Sequence, residues 1–431
     1  MYMGNLMKRT LLLALLAVTL GASAQPSLER CKELAREHYP LVQRYGLIEQ
    51  SREYTLTTAS RAWLPQVALS GQATLQSDVV SWPEEFESML AMQGRDMSGM
   101  RRDQYKVQID VQQTLWDGGK SRADRAIAEG EATQERMSTE VEMYAVENRV
   151  EDIYFGILLM QEQQRQIEEM MQRLQTNLDH VNALVENGVA VPTDADAVEV
   201  QLLAQRQSLG QVVSRLQSFR RMLSLFIGEE VADVPLLTPV SDTPIGYDSE
   251  RPELRLMDAQ TALIEARERM VDVSLAPRIS LFAQGFYGYP GLNMFENMMS
   301  HKWTLNGIVG LRMSWNISSL YTAQTSRRQL QNARDQVALQ RDVFAFNSRL
   351  QTEQESAEIQ RIRAAIKDDD RIVELRSRVR QAAETRLQEG VIDTHDLLGK
   401  ISDETAAKIA RSTHEIELIK AIYELKHTLN R

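Results

Sequence analysis

The chain has 431 residues, 43% of them hydrophobic, with 21 Gly, 11 Pro and a formal charge of −11. That acidity argues against nucleic acid as a partner, and a single cysteine, Cys31, excludes an internal disulfide framework. No Ser/Gly-rich linker divides the chain, so one elongated, mainly α-helical body is expected in place of two or three globular domains.

Residues 1–24 read as a cleavable secretory signal. Lys8 and Arg9 form a basic start, an apolar run from Leu11 to Leu20 follows, and Ala22-Ser23-Ala24 supplies the small-residue cleavage site. About ten apolar residues are too few to span a bilayer as a helix, and no later segment reaches the roughly 18 that a membrane helix needs. Export would remove Lys8 and Arg9, leaving 47 basic against 60 acidic residues, or −13. "SLERC" lacks the small residues expected before a lipid-anchored cysteine, so Cys31 is expected to be a buried or half-buried helical residue.

A helix is predicted from Pro40 to Trp63, then a strand over about 64–76. In it Val67, Leu69, Gly71, Ala73 and Leu75 alternate with Gln66, Ala68, Ser70, Gln72 and Thr74. A second strand over about 104–116 places Val107, Ile109, Val111 and Leu115 opposite Lys106, Gln108, Asp110, Gln112 and Thr114. From Lys120 to about Asn187 the chain is rich in Ala, Glu, Arg and Gln and holds no proline, which predicts a helix of about 100 Å. A Gly188-Val189 turn and a second helix, Thr193 to Phe226, close this half. Ile167, Met170, Leu174, Leu178, Val181 and Val185, then Leu209, Val212, Leu216, Phe219, Leu223 and Phe226, keep three-then-four spacing, the signature of heptad packing.

The same order of parts then recurs. "YPLVQ" at Tyr39 returns as "RPELR" at Arg251, and "LPQVALSGQ" at Leu64 returns as "APRISLFAQ" at Ala276, both at an offset of 212. Residues 25–240 and 241–431 are therefore expected to be two structural repeats. In the second, strands over about 277–288 and 303–315 carry Ile279, Leu281, Ala283, Gly285 and Tyr287, then Leu305, Val309, Leu311, Met313 and Trp315, on one face. A long helix from about Ala323 to Glu389 and a Gly390-Val391 turn follow. Four strands of about ten to thirteen residues match a tilted membrane-crossing strand, though a soluble sandwich with one buried face would alternate in the same way. Four strands cannot close on themselves and an open edge is not tolerated in lipid, so a membrane reading requires several copies. Trp63, Trp116, Trp303 and Trp315 all lie near strand ends, where aromatic girdles would place them.

In the order of "YPLVQ", "LPQVALSG", "LWDGGKSRA" around Trp116, "SWNISSLYTAQ" around Trp315, and two Gly-Val turns followed by an acid, the chain resembles the TolC-type outer-membrane efflux protein family. The resemblance covers essentially the whole mature chain. It implies a homotrimer in which four strands per protomer form a shared 12-stranded β-barrel, continued by a long coiled-coil helical tunnel into the periplasm. It also implies an exit duct for a tripartite efflux or type I secretion system. The duct would sit in outer-membrane lipid and be joined through a periplasmic adaptor (membrane fusion) protein to an inner-membrane RND or ABC pump, with no cofactor. Trp116, Asp117, Gly118, Gly119 and Trp315 would mark the passage from barrel to tunnel.

The same resemblance places Gly188 and Gly390 at the tip turns and Asp194 and Asp396 at the periplasmic aperture. The family's basic partner in the second turn aligns with Ile392, a further acid with Gly399 and a tyrosine with Leu387. Asp393, His395 and Arg386 are near enough in sequence to supply a different lock. Thr193 with Asp196, and Asp393 with Asp396, also read as helix N-caps with an acid three residues on. No zinc, P-loop or nucleophile-elbow motif occurs, and the six scattered His read as solvated helix residues. The alternative is a periplasmic coiled-coil adaptor or scaffold that never enters the outer membrane.

Overall fold

The computed structural model describes residues 26–92, 94, 99–231, 235–240 and 249–430. The expected signal at 1–24 and the first residues of the second expected repeat, 241–248, lie outside them. In chain order the elements are α1 (Leu28–His38), a 3₁₀ turn (Pro40–Val42), α2 (Gln43–Arg61), β1 (Gln66–Leu75), α3 (Glu84–Met92), β2 (Asp103–Trp116), α4 (Lys120–Glu186) and α5 (Pro192–Ile227). Then come α6 (Pro252–Ser274), β3 (Arg278–Tyr289), α7 (Met294–Met299), β4 (Thr304–Ser314), α8 (Ser319–Gln388) and α9 (Thr394–Leu429). Helices α4 and α8 are 67 and 70 residues long, as an uninterrupted run without proline permits.

Contacts gather the chain into two compact units, each drawing on both halves of the sequence. One comprises the described parts of Met1–Tyr45, Met137–Arg255 and Gln340–Arg431, and is wholly helical apart from its turns and loops. Its largest core joins Leu28, Cys31, Leu34 and Ala35 of α1 to Val150, Tyr154, Phe155 and Ile157 of α4, Leu216 and Leu223 of α5, and Tyr423 of α9. The i, i+3, i+6, i+7 spacing of the α1 residues puts them on one face, and Ser27 caps that helix by accepting from the Arg30 amide at 3.3 Å. Cys31 is fully buried there, as expected, and burial pushes its thiol up to about 11. A second core joins Met170, Leu174 and Val181 of α4, Val198 and Leu202 of α5, Ala383 of α8, and Leu397, Leu398 and Ile401 of α9. The heptad positions expected in α4 thus form the seam.

The other unit comprises Gly46–Arg136 and Leu256–Leu339. It holds one four-stranded antiparallel sheet in the order β1-β2-β3-β4. Register runs Val67↔Val111↔Ala283↔Val309 across the sheet, and Leu69↔Ile109↔Gly285↔Gly307 one step along. A bulge between Thr114 and Trp116 sets Leu115 out of the ladder. Among the described residues there is no second sheet.

Candidate functional sites: a two-faced sheet and two helical turns

Directly paired residues in an antiparallel sheet point to the same side, so the register sorts the strands into two faces. One carries Val67, Leu69, Val107, Ile109, Val111, Leu281, Ala283, Tyr287, Leu305, Val309, Leu311 and Met313. This face is open: Leu69, Val309 and Leu311 are 73%, 73% and 69% exposed. The opposite face carries Gln66, Ser70, Gln72, Lys106, Gln108, Asp110, Gln112, Gln284, Asn306 and Arg312. Asp110 accepts from the side-chain amides of Gln108, at 2.7 Å, and Gln284, at 2.8 Å.

Aromatic rings gather at the two ends of the strands. At one end Trp303 lies 6.4 Å from Tyr105 and 5.4 Å from Tyr287, ring centre to ring centre. At the other, Trp63 precedes β1, Trp116 ends β2, and Trp315 follows β4 with its indole N–H donated to the Leu275 carbonyl at 3.0 Å. An apolar band between two aromatic rows is what a strand set spanning lipid requires.

The passage from β2 into α4 is built on Asp117. Its carboxylate accepts from the Gly119 amide at 2.8 Å, and from the Ser121 amide and hydroxyl at 2.7 and 2.5 Å. Partial burial favours the neutral acid, but these hydrogen bonds outweigh it and hold the carboxyl below its ordinary range. Gly118 and Gly119 take φ of +69° and +93°, and a Cβ on Gly118 would stand 2.7 Å from that of Ala276. Only glycine fits that corner.

The two Gly-Val turns share one geometry. Gly188 and Gly390 adopt φ of +73° and +71°, while Val189 and Val391 donate to the Leu184 and Arg386 carbonyls at 2.9 Å. These are glycine C-caps ending α4 and α8. Asp393 caps α9, accepting from the Asp396 amide at 2.8 Å. The cap of α5 differs from expectation. It is Val191, not Thr193, because Pro192 occupies the first helical position, and Asp194 accepts from the Val191 amide at 3.2 Å. Arg386, Asp393 and Asp396 are exposed and Asp194 is partly so; among the described residues none of the four is in an ion pair. Leu387 and Ile392, the positions of the family's tyrosine and basic residue, pack instead against the apolar core of the two hairpins.

The charged contact between the hairpins lies on Glu404, which sequence reasoning missed. It is 1% exposed and meets Arg173 of α4 at 3.1 Å, Arg380 of α8 at 2.5 Å, and Lys408 of its own helix at 3.0 Å. The Ser377 hydroxyl donates to it at 2.7 Å. Burial alone would raise this acid, yet the Ser377 and Lys408 hydrogen bonds and the charges of Lys408 and Arg380 hold it below the ordinary range. Only Lys408, four residues on, could have signalled the cluster in the sequence. Two histidines also depart from the solvated-helix expectation: His414 pairs with Asp369 at 2.6 Å, and His427 stacks on Tyr144 at 4.0 Å. A third, His301, lies in a loop, against the Gly99 carbonyl at 3.0 Å. Among the described residues no cluster of metal-ligating side chains occurs, and no helix is long and apolar enough to cross a membrane.

Residues 33–229 match the family model described as outer membrane efflux protein. Among solved structures, the chain is similar to the outer membrane protein VceC of Vibrio cholerae, at 14% identity over 93% of this chain and 95% of that one, with a TM-score of 0.66. It is similar to the outer-membrane channel OprN at 16% identity over 94% and 90%, with a TM-score of 0.67. It is also similar to the open state of the MtrE channel of Neisseria gonorrhoeae, at 13% identity over 94% and 89%, with a TM-score of 0.66. No curated protein matches.

Proposed function

We propose, from the match of residues 33–229 to the outer membrane efflux protein family model together with the fold, that the chain is a member of that family and the outer-membrane exit duct of a tripartite efflux system. The observation that carries this reading is the sheet: one open face that is apolar along the middle of its strands, with Asp103 and Gln113 toward the strand ends, an opposite face that is mostly polar, and two unpaired edges at β1 and β4. Such a sheet is stable in lipid only when its edges are paired, and copies of the same chain supply the partner strands. Strands alternate in direction, so β4 of one copy meets β1 of the next antiparallel. Three copies give a 12-stranded barrel with the polar face inward. The helical turns at Gly188 and Gly390 then form the periplasmic mouth, with Asp194, Asp393, Asp396 and Arg386 around it. A periplasmic adaptor docks there and links the duct to an inner-membrane pump of the RND or ABC class.

The test is the mass of the detergent-extracted protein together with its membrane fraction and its conductance. A trimer that fractionates with outer membrane, migrates differently when unheated, and conducts ions in a planar bilayer is expected. A compact monomer with intact β signal would instead support the adaptor or scaffold alternative.

A further inference from the structure

The polar face of the sheet carries Lys106, Arg278 and Arg312 against one carboxylate, Asp110, in a chain whose overall charge is −11. The two arginines are neighbours. Arg278 pairs across β3 and β4 with Ser314, and Ser280 pairs with Arg312, so the arginines are diagonal on one face, about 7 Å apart at the backbone. Like charges so placed repel, and among the described residues neither arginine is in an ion pair. Asp110 offsets only part of this charge: it lies level with Gln284 and Ile308, four residues along β4 from Arg312, about 13 Å of strand, and its carboxylate accepts from Gln108 and Gln284 and forms no ion pair with Arg312.

Arg312 is also held in place. Its guanidinium lies over the ring of Phe282 at 4.7 Å, and the strand opposite makes room for that ring with Gly310. A Cβ on Gly310 would stand 2.9 Å from the Phe282 ring. Glycine, aromatic ring and guanidinium thus form one stack against the wall, which fixes the charge on the face. A merely solubilising arginine needs no such seat.

We infer that Arg278 and Arg312 form an anion-selecting ring in the barrel, at the end where β2 passes into α4, so that the duct favours anionic cargo such as carboxylates, sulfonates and phosphates. This rests on the exit-duct reading, since only in the closed barrel do the arginines of three copies come to one level facing the lumen. Fixed like charges around a pore raise the local concentration of counter-ions and exclude co-ions.

The experiment uses the full trimer in planar bilayers under an about tenfold KCl gradient, with hexacyanoferrate as the anionic probe added to either side in turn. Hexacyanoferrate should block the wild-type current, and raising KCl from about 0.1 to 1 M should relieve the block as the screening length shrinks. Arg278→Gln with Arg312→Gln should weaken the block at least about fivefold and shift the reversal potential toward the cation limit, whereas Arg312→Lys should retain both. Equal block in wild type and the double variant overturns the ring, and so does a wild-type block that salt leaves unchanged, an outcome that requires no variant to fold. Failure of the wild type to form any conducting oligomer overturns the duct itself, and the ring with it.

Discussion

At single residues, backbone conformation and burial set what each side chain can do. Gly118 and Gly188 both hold positive φ, but a Cβ at 118 meets Ala276 whereas at 188 nothing lies within 4 Å. Gly188→Ala should therefore cost about 1 kcal/mol, and Gly118→Ala clearly more. Melting of the unheated oligomer on gels would rank them, and equal losses would contradict the packing at the corner. His427 offers a pH test. Burial first, then the charges of Arg251 and Lys32, push its folded value from 6.5 down to about 4. Between those values the unfolded chain binds the extra proton, so folded stability rises with pH across that window, by at most about 3 kcal/mol. His427→Phe keeps the stack on Tyr144 and should flatten the dependence of unfolding on pH between 4 and 6.5. Burial of Cys31 was legible, because its neighbours Leu28, Leu34 and Ala35 fall on one helical face. The roles of His427 and Glu404 were not, since their partners Tyr144 and Arg173 stand more than two hundred residues away.

For the strands and helices, legibility followed the length of the pattern. Strands expected over about 64–76, 104–116, 277–288 and 303–315 are found at Gln66–Leu75, Asp103–Trp116, Arg278–Tyr289 and Thr304–Ser314, because two-residue alternation persists through each. Helices α3 and α7, nine and six residues long, went unseen: so few turns carry little periodic signal. The helix expected to begin at Pro40 begins at Gln43, since Pro40–Val42 closes into a 3₁₀ turn. The sorting of faces makes a sharp prediction. Leu311→Arg or Ile109→Arg near the midplane should cost about 2–4 kcal/mol of stability in lipid, while Gln108→Arg on the other face should be tolerated. Chemical denaturation of the reconstituted protein distinguishes the two, and equal damage would mean that both faces are packed.

In the whole molecule, the two charged zones predict opposite effects on ion flow. Asp194→Asn with Asp396→Asn should lower cation preference in single-channel recordings while leaving trimer assembly intact, since amides still serve the helix starts. Unchanged selectivity in an assembled double variant would mean that these acids serve only their helix starts, Asp194 by accepting from the Val191 amide and Asp396 as an acid in the first turn of α9. The unpaired edges at β1 and β4 have a genetic consequence as well. In a trimer closed edge to edge, each subunit takes part in two of the three seams, so one copy with a spoiled edge breaks the ring that two sound copies have begun. When sound and spoiled chains are made in equal amounts and mix freely, only about one ring in eight is wholly sound. Alleles that disturb an edge strand will behave as dominant inhibitors of export, whereas alleles that prevent folding before assembly will be recessive.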